Sequence, residues 1–278
     1  MVPTNQGGGP YRAMTNIRRP AVAGLFYPDD PSELRRAVAQ LLAAANAATA
    51  TGDPTRPKAL IAPHAGYVYS GPVAASAYAR LGDAADIRRV LLLGPAHRLP
   101  FRGIAYPTAD AFATPLGDVP VDQDAIATIA DLPQVTRLDR AFDGEHCLEV
   151  QLPFLQMLLG DFRIVPLVVG EATGEEIAAV LEQLWGGPET LIVISSDLSH
   201  YLDYDSAQAI DAQTTAAICG LHPEAISTRQ ACGRNPIAGL LTAARRHALH
   251  ATPLDLRNSG DTAGPRDRVV GYGAYGFA

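Results

Sequence analysis

Cysteine, lysine and aromatic residues are scarce in this chain of 278 residues. The three cysteines are an odd number, whereas a secreted disulfide framework normally has a denser and even set. Lys58 is the single lysine, which we interpret as a coding bias towards arginine and not as a need for guanidinium chemistry. The cysteine content favours reduced thiols and predicts a cytoplasmic protein.

Long apolar runs and an excess of positive charge are also missing. No window approaches the roughly 20 apolar residues of a membrane span, so we expect no membrane association. The net charge of −7 offers no attraction to a polyanion, which argues against nucleic acid as the main partner. Residues 1–16 contain no apolar signal-peptide core and are predicted to be a flexible leader. We expect one domain over residues 17–278.

Short apolar runs alternate with helical patterns along the rest of the chain. The runs KALIAP (58–63), RRVLLLGP (88–95), FRIVPLVVG (162–170) and ETLIVISS (189–196) lack polar alternation and predict strands buried on both faces. A helical pattern begins at Pro31, and further helical patterns cover 72–81, 148–159, 173–185 and 205–219. Strand-like pieces fall within 100–121 and 269–278. This order predicts an α/β fold with a mixed, largely parallel central sheet flanked by helices.

Three of the apolar runs lead directly into loops that carry histidine. KALIAP is followed by His64, RRVLLLGP by Ala96 and His97, and ETLIVISS by Asp197 and His200. In open α/β sheets, ligands bind beyond the carboxyl ends of the strands. If these strands are parallel neighbours, their loops converge on one pocket. We therefore expect the histidines to share a site.

Two further segments are candidates for the same pocket. Glu145, His146 and Cys147 precede a helical pattern, and Cys232 precedes a helix expected to begin near Pro236. A cysteine at a helix N-terminus and near arginine has its thiolate favoured. Thiolate and neutral imidazole are good ligands for iron, copper or zinc, so Cys232 is the preferred thiol ligand or nucleophile.

The other histidines and cysteines have simpler explanations. His222, His247 and His250 are expected to be solvated, and the last two would share a helix face at their spacing of three residues. Cys219 lies in an apolar helical pattern and is interpreted as a buried small hydrophobic residue. The pair Ser195–Ser196 beside Asp197 suggests a hydrolase, but no G-x-S-x-G motif accompanies it, so a serine triad is disfavoured.

Seven short motifs extend over nearly the whole chain. In order from about Arg18 they are RRPAVAGLFYP, APHAGYVYSGPVAASAY, LLLGPAHR, EHCLEVQLPFL, ISSDLSHY, ACGRNP and NSGD followed by VVGYGAYGF. In this combination the sequence resembles the Memo family, known in bacteria and archaea as AmmeMemoRadiSam system protein B. The resemblance implies a fold similar to class III extradiol (LigB-like) non-haem iron dioxygenases.

The resemblance also implies the roles of particular residues. The family's metal ligands correspond to His64, His97 and Cys232, and iron(II) or copper is the implied metal. Asp197, His200, Glu145 and His146 would line the same pocket as candidate catalytic residues. Cys147 departs from the usual EHS pattern, which leaves open whether its thiol lies near the site or points away with the helix.

Two functions follow as alternatives. The first is a metal-dependent redox enzyme related to the dioxygenases, in which His200 or His146 acts as an acid or base and Asp197 orients a histidine. The second is a non-catalytic protein that handles metal, senses redox state or binds phosphopeptides. The family name further implies a pathway shared with a radical-SAM protein and an AMMECR-type protein. The sequence identifies neither the substrate nor the oligomeric state.

Overall fold

The computed structural model describes residues 16–49 and 55–278, so nearly all of the predicted leader lies outside the described residues. Seven α-helices and twelve strands lie within these ranges. The helices are α1 (Pro31–Thr49), α2 (Tyr67–Tyr78), α3 (Gln123–Ile129), α4 (Leu152–Leu158), α5 (Gly174–Leu184), α6 (Tyr204–Cys219) and α7 (Arg234–Arg246). The strands are β1 (Ile17–Arg18), β2 (Ala59–Ala62), β3 (Arg89–Pro95), β4 (Ile104–Tyr106), β5 (Ala111–Thr114), β6 (Gly117–Pro120), β7 (Val135–Arg137), β8 (Arg163–Val169), β9 (Thr190–Ser195), β10 (His200–Leu202), β11 (Ala251–Asn258) and β12 (Val269–Phe277).

Nine strands form the main sheet, in the order β10-β12-β2-β9-β3-β8-β4-β7, with β11 also paired to β12. The four central strands β2, β9, β3 and β8 are parallel, whereas β12 and β4 flank them in the antiparallel sense. Strands β1, β5 and β6 form a separate small sheet in the described part of the chain. The prediction of an α/β fold with a mixed central sheet flanked by helices is confirmed, and the parallel strands lie mainly at its centre.

The four apolar runs form the four central strands of the sheet, where the packed helices shield their side chains from solvent. Nearly every residue of β2, β3, β8 and β9 is buried. Helices α1, α2 and α4 pack against one another, and α5 packs against α3 and α7. No helix in the described ranges has both the length and the apolarity required to cross a bilayer.

Three helix boundaries differ from those the sequence predicts. Helix α2 begins at Tyr67 rather than Pro72, because the amides of Tyr69 and Ser70 bond to Gly66 O and start the helix earlier. Pro153 has no amide hydrogen and is tolerated only in a first turn, so α4 begins at Leu152 after a short 3₁₀ turn.

The third difference concerns the two histidines predicted to share a helix face. Helix α7 ends at Arg246, with His247 at its C-cap, and Ala248 adopts a left-handed backbone with φ of 53°. Because the helix has stopped, His247 and His250 do not lie on one helix face, and that prediction was wrong. His247 instead stacks on Trp185 and bonds to Glu182.

Candidate metal centre

The loops that follow β2, β3 and β9 meet at one edge of the sheet, as their order in the parallel centre requires. His64 lies two residues beyond β2, His97 two beyond β3 and Asp197 two beyond β9. The ring centroids of His64 and His97 are 5.1 Å apart. His64 Nε2 is 3.4 Å from Cys232 Sγ, although 168 positions separate these residues in the chain.

His64, His97 and Cys232 together have the geometry of a three-ligand metal site. One donor atom from each residue lies within 4.8 Å of the other two. Two ligands bound to one tetrahedral ion at roughly 2.1 Å for nitrogen and 2.3 Å for sulfur lie about 3.6 Å apart. The donor atoms are therefore close enough for one ion with little movement.

The hydrogen bonds of Ser195 determine which nitrogen of His64 is free. Ser195 Oγ donates its single proton to the carbonyl of Cys147 at 2.5 Å and accepts a hydrogen bond from Gln151 Nε2 at 2.8 Å. His64 Nδ1, at 2.9 Å, must then be the donor to this oxygen. Nε2 consequently carries a lone pair, and this is the atom that faces Cys232.

The orientation of Gln151 is fixed in the same way. Its Nε2 also donates to the carbonyl of Pro63, which can only accept, and its Oε1 accepts from the hydroxyl of Tyr78. The side chains of Gln151, Ser195 and Tyr78 are buried. A buried network of hydrogen bonds therefore runs from Tyr78 through Gln151 and Ser195 to His64.

Glu145 has the equivalent role for His97. Its carboxylate accepts the backbone amide of His97 at 2.7 Å and the ring Nδ1–H at 2.9 Å, so that in the neutral ring the lone pair lies on Nε2. Burial alone would raise the pKa of Glu145, but the hydrogen bonds from His97 and from the amide of Cys147, with the positive charge of His97 whenever that ring is protonated, outweigh it and lower the pKa to about 2. A carboxylate behind a ligating imidazole is the usual support of a metal-binding histidine.

His97, Glu145 and His146 form a second group with donor atoms close enough for an ion. The oxygens of Glu145 already accept hydrogen bonds from the amides of His97, His146 and Cys147 and from the ring of His97. An ion at this position would displace those bonds. We therefore interpret Glu145 as the support of His97 and not as a ligand.

The loop that carries Cys232 is bound directly to the end of β9. The amide of Cys232 donates to Asp197 O at 3.3 Å, and the amide of Gly233 donates to Ser196 Oγ at 2.9 Å. The amide of Asp197 in turn donates to Cys232 Sγ at 3.3 Å. These bonds hold the sulfur beside His64.

The sequence predicts that the thiolate form of Cys232 is favoured, but the structure favours the protonated thiol. Burial, together with the charge of Asp197, raises the pKa of this thiol to about 12, because these two effects outweigh the hydrogen bonds from the amides of Asp197 and Gly233 and from the Ser196 side chain. The pKa of His64 is lowered by burial to about 3, so this ring is neutral at ordinary pH. A metal would have to displace the thiol proton, whereas the imidazole is ready to bind.

The remaining candidate residues surround this group. Asp197 is buried and accepts the amide of His64 at 2.8 Å, and its pKa is raised by burial. His200 donates from Nδ1 to the carbonyl of Leu198, so that in the neutral ring the lone pair lies on Nε2. His146 stacks on His97 with centroids 5.0 Å apart, and burial lowers its pKa to about 4.

A cavity of about 640 Å³ opens onto the group. His64, His97, His146, Asp197 and His200 line it, together with Phe26, three tyrosines and two arginines. A smaller cavity of about 420 Å³ reaches Cys232 from the other side of His97 and His200. A small molecule in the larger cavity would contact the three histidine loops together.

Cys147 does not contribute a thiol to the three-ligand group. Its side chain is fully buried, and Sγ donates to the carbonyl of Pro95 at 3.3 Å. Gly94 makes room for it, since a Cβ at that glycine would lie 2.6 Å from this sulfur. The alternative in which this thiol points away is the one observed.

Sequence reasoning missed the supporting roles of Ser195 and Gln151. The sequence suggests a nucleophile at Ser195, but this residue is fully buried and its hydroxyl makes hydrogen bonds with three groups. The available signal was a glutamine within the apolar pattern LEVQLPFL, because a buried amide requires partners. His222 pairs with Glu224 at the exposed surface, as expected of a solvated histidine.

Comparison with known proteins identifies one family over most of the chain. A family model described as Memo-like protein matches residues 18–275. A MEMO1 family protein of Methanothermobacter thermautotrophicus is 36% identical over 278 residues, covering 92% of this chain and 98% of the relative. MEMO1 family proteins of Aquifex aeolicus (35% identical, 92% and 97% covered) and Aeropyrum pernix (38% identical, 93% and 98% covered) are also similar.

Proposed function

The chain belongs to the Memo-like family, and we propose that it binds one redox-active metal ion through His64, His97 and Cys232. The observation that carries this proposal is the arrangement of hydrogen bonds behind the two imidazoles. Ser195 and Glu145 hold the Nδ1 protons, so that both Nε2 lone pairs are available near the sulfur of Cys232. Supports of this kind are typical of metal-binding histidines and raise metal affinity.

Iron(II) is the proposed metal, with copper as the alternative. Two imidazoles and one thiolate are good ligands for either, and three protein ligands leave further coordination positions open. The metal would supply one-electron chemistry and a binding position for dioxygen or a substrate in the cavity. The expected activity is an oxidation related to that of the extradiol dioxygenases.

The protein's own contribution to such a reaction would be the placing and transfer of protons. His200 and His146 line the cavity, where an imidazole can accept a proton from a bound substrate and return it. Asp197 accepts the amide of His64 and thereby holds the loop after β2 against the loop after β9. We propose His200 and His146 as acid–base residues, with Glu145 and Asp197 positioning the candidate ligands His97 and His64.

One observation favours a second candidate, a metal-binding protein without turnover. The third ligand is a thiol, whereas non-haem iron oxygenases typically use two histidines and one carboxylate. A soft thiolate retains iron or copper well, and a fold can persist after its reaction is lost. In this alternative the cavity would bind a ligand or peptide near the metal without converting it.

Metal titration of the purified protein under anaerobic conditions tests the ligand assignment. We expect about one Fe(II) or Cu(I) per chain, with a rise in melting temperature because only the folded state presents the assembled site. His64→Ala, His97→Ala and Cys232→Ser should each weaken binding by at least about tenfold, because each removes one of three ligands.

Matched variants outside the site provide the controls. His250→Ala and Cys219→Ser remove the same side-chain types from outside the three-ligand group and should leave the metal affinity unchanged. Metal binding that persists at full strength in all three ligand variants would refute the assignment.

Oxygen uptake separates the two candidate functions. Fe(II)-loaded protein is mixed with catechols in an oxygen electrode, and the Cys232→Ser variant serves as the control. Oxygen consumption that depends on both the catechol and Cys232 supports the enzyme. Tight metal binding without consumption supports the protein without turnover.

A further inference from the structure

The exposed lining of the 640 Å³ cavity has a charge opposite to that of the chain as a whole. The chain carries a net charge of −7, yet Arg98 and Arg268 line this cavity and Asp197 is its single carboxylate. That carboxylate is buried at the base and accepts the amide of His64. Neither guanidinium has a carboxylate partner within 4 Å among the described residues. Both are therefore available to a negatively charged ligand.

Arg268 is held at the cavity by an aromatic side chain. Its guanidinium lies 5.2 Å from the ring centroid of Tyr201, which is 65% exposed. Strands β10 and β12 pair in antiparallel fashion at this point, with a bulge between His200 and Leu202. The bulge places Tyr201 beside Arg268, directly after the candidate acid–base residue His200.

The backbone of Tyr201 provides an independent observation. Its φ of 60° lies in the left-handed region, where a bulky side chain costs free energy that glycine would avoid. The ring gains little from burial in return, since most of it is exposed. A strained and exposed tyrosine next to a candidate catalytic residue suggests selection for ligand contact rather than for stability.

We propose that Arg98, Arg268 and Tyr201 form a subsite for the oxyanion group of the ligand, a carboxylate or a phosphate on a ring-sized apolar body. The arginines supply charge-assisted hydrogen bonds, and Tyr201 fixes one guanidinium in place. Tyr69, Tyr272 and Phe26 provide apolar surface in the same cavity for the rest of the molecule. The anionic end would bind at the exposed lining and the other end would face the histidines.

This inference takes the cavity to be the substrate site of the proposed function, but its test does not require a metal. Calorimetric titration of the metal-free full chain compares benzoate and phenyl phosphate with benzamide, a neutral molecule of similar shape to benzoate. We expect at least one anion to bind about tenfold more tightly than benzamide and to lose that advantage at high salt. The anion that binds more tightly shows whether the subsite prefers a carboxylate or a phosphate group.

Variants then locate the subsite. The double variant Arg98→Gln with Arg268→Gln should bind the anions and benzamide equally well. Arg266→Gln is the matched control. Arg266 lies in the same loop as Arg268 and also stacks on a tyrosine, Tyr204, but it does not line the cavity. It should leave the preference for anions intact.

A glycine substitution separates ligand contact from folding. Tyr201→Gly should weaken anion binding several-fold while the melting temperature stays the same or rises, because glycine accepts this backbone conformation without strain. Ala248→Gly, at another left-handed position away from the cavity, should leave anion binding unchanged. Equal affinity for benzoate, phenyl phosphate and benzamide, no binding of either anion, or an equal loss in Arg266→Gln would overturn the proposal. Metal binding is measured separately on the same variants.

Discussion

The hydrogen bond between His64 and Ser195 makes the metal affinity depend on a residue that cannot touch the metal. Ser195→Ala removes the acceptor of the Nδ1 proton and leaves the ring free to carry its proton on Nε2 instead. We expect a 10- to 100-fold weaker Fe(II) affinity, the usual cost of removing such a support. Nitrogen NMR of histidine-labelled, metal-free protein should show His64 shifting from the Nδ1–H towards the Nε2–H form.

Ser199→Ala provides the control for this prediction. Ser199 is as fully buried as Ser195, but its hydroxyl makes no hydrogen bond to a histidine ring among the described residues. Its variant should keep both the tautomer and the affinity. An unchanged tautomer in Ser195→Ala would show that the ring proton is held by some other group.

The candidate ligands could be predicted from sequence, whereas their supports could not. His64 and His97 follow apolar strands directly, so their position at the sheet edge is a local property of the chain. The partners Gln151 and Ser195 become neighbours of His64 only through the pairing of β2 with β9 and the packing of the segment before α4. Hydrogen bonds between distant segments leave no local pattern to read.

Strands with a continuous apolar run can be predicted from the sequence. A strand that depends on pairing with a partner strand and lacks such a run cannot. Strands β2, β3, β8 and β9 coincide with continuous apolar runs. Strand β11 contains Pro253, is half-buried or exposed along nearly its whole length and has no apolar pattern. It forms because its backbone pairs with residues 271–277 of β12.

The contact between α5 and α7 depends on a glycine and affects the position of Cys232. Gly239 of α7 lies so close to Ile177 of α5 that an added Cβ would be 2.2 Å from Cγ2. Replacement of glycine by alanine inside a helix ordinarily stabilises it by up to about 1 kcal/mol. Here we expect Gly239→Ala to lower the free energy of unfolding by about 1–3 kcal/mol, because the two helices must move apart.

Urea denaturation measures this effect, and metal titration measures its consequence for the site. Cys232 lies two residues before α7, so a displaced helix should also weaken metal binding. Gly160→Ala is the control, since its Cβ would meet one arginine nitrogen at 3.9 Å and nothing closer. A Gly239→Ala protein more stable than the original would contradict the close packing.

At the scale of the whole molecule, the parallel centre of the sheet explains why the site exists. The strand order β2-β9-β3 places the loops of His64, Asp197 and His97 side by side, although these residues are far apart in sequence. The apolar runs predicted the strands but not this order, because several arrangements bury the same runs equally well. The sequence therefore predicts that these loops meet at one edge of the sheet. It does not predict which loop lies next to which.

The stability of the whole fold should depend on pH through the buried Asp211. This carboxyl group accepts the amide of Ser199 at 3.0 Å, and burial raises its pKa to about 6 against an ordinary value of 3.8. Between these two values the folded protein holds a proton that the unfolded chain has released. The contribution of Asp211 is therefore complete below about pH 4 and is lost as the pH rises through about 6.

Asp211→Asn should remove this part of the pH dependence, because an amide does not titrate and its oxygen can still accept the amide of Ser199. Urea unfolding at pH 4 and at pH 7 gives the free energy of unfolding for both proteins. We expect the variant to gain stability relative to the original on going from pH 4 to pH 7, by at most about 3 kcal/mol. A difference between the two proteins that stays constant over this range would mean that the carboxyl titrates alike in the folded and unfolded states.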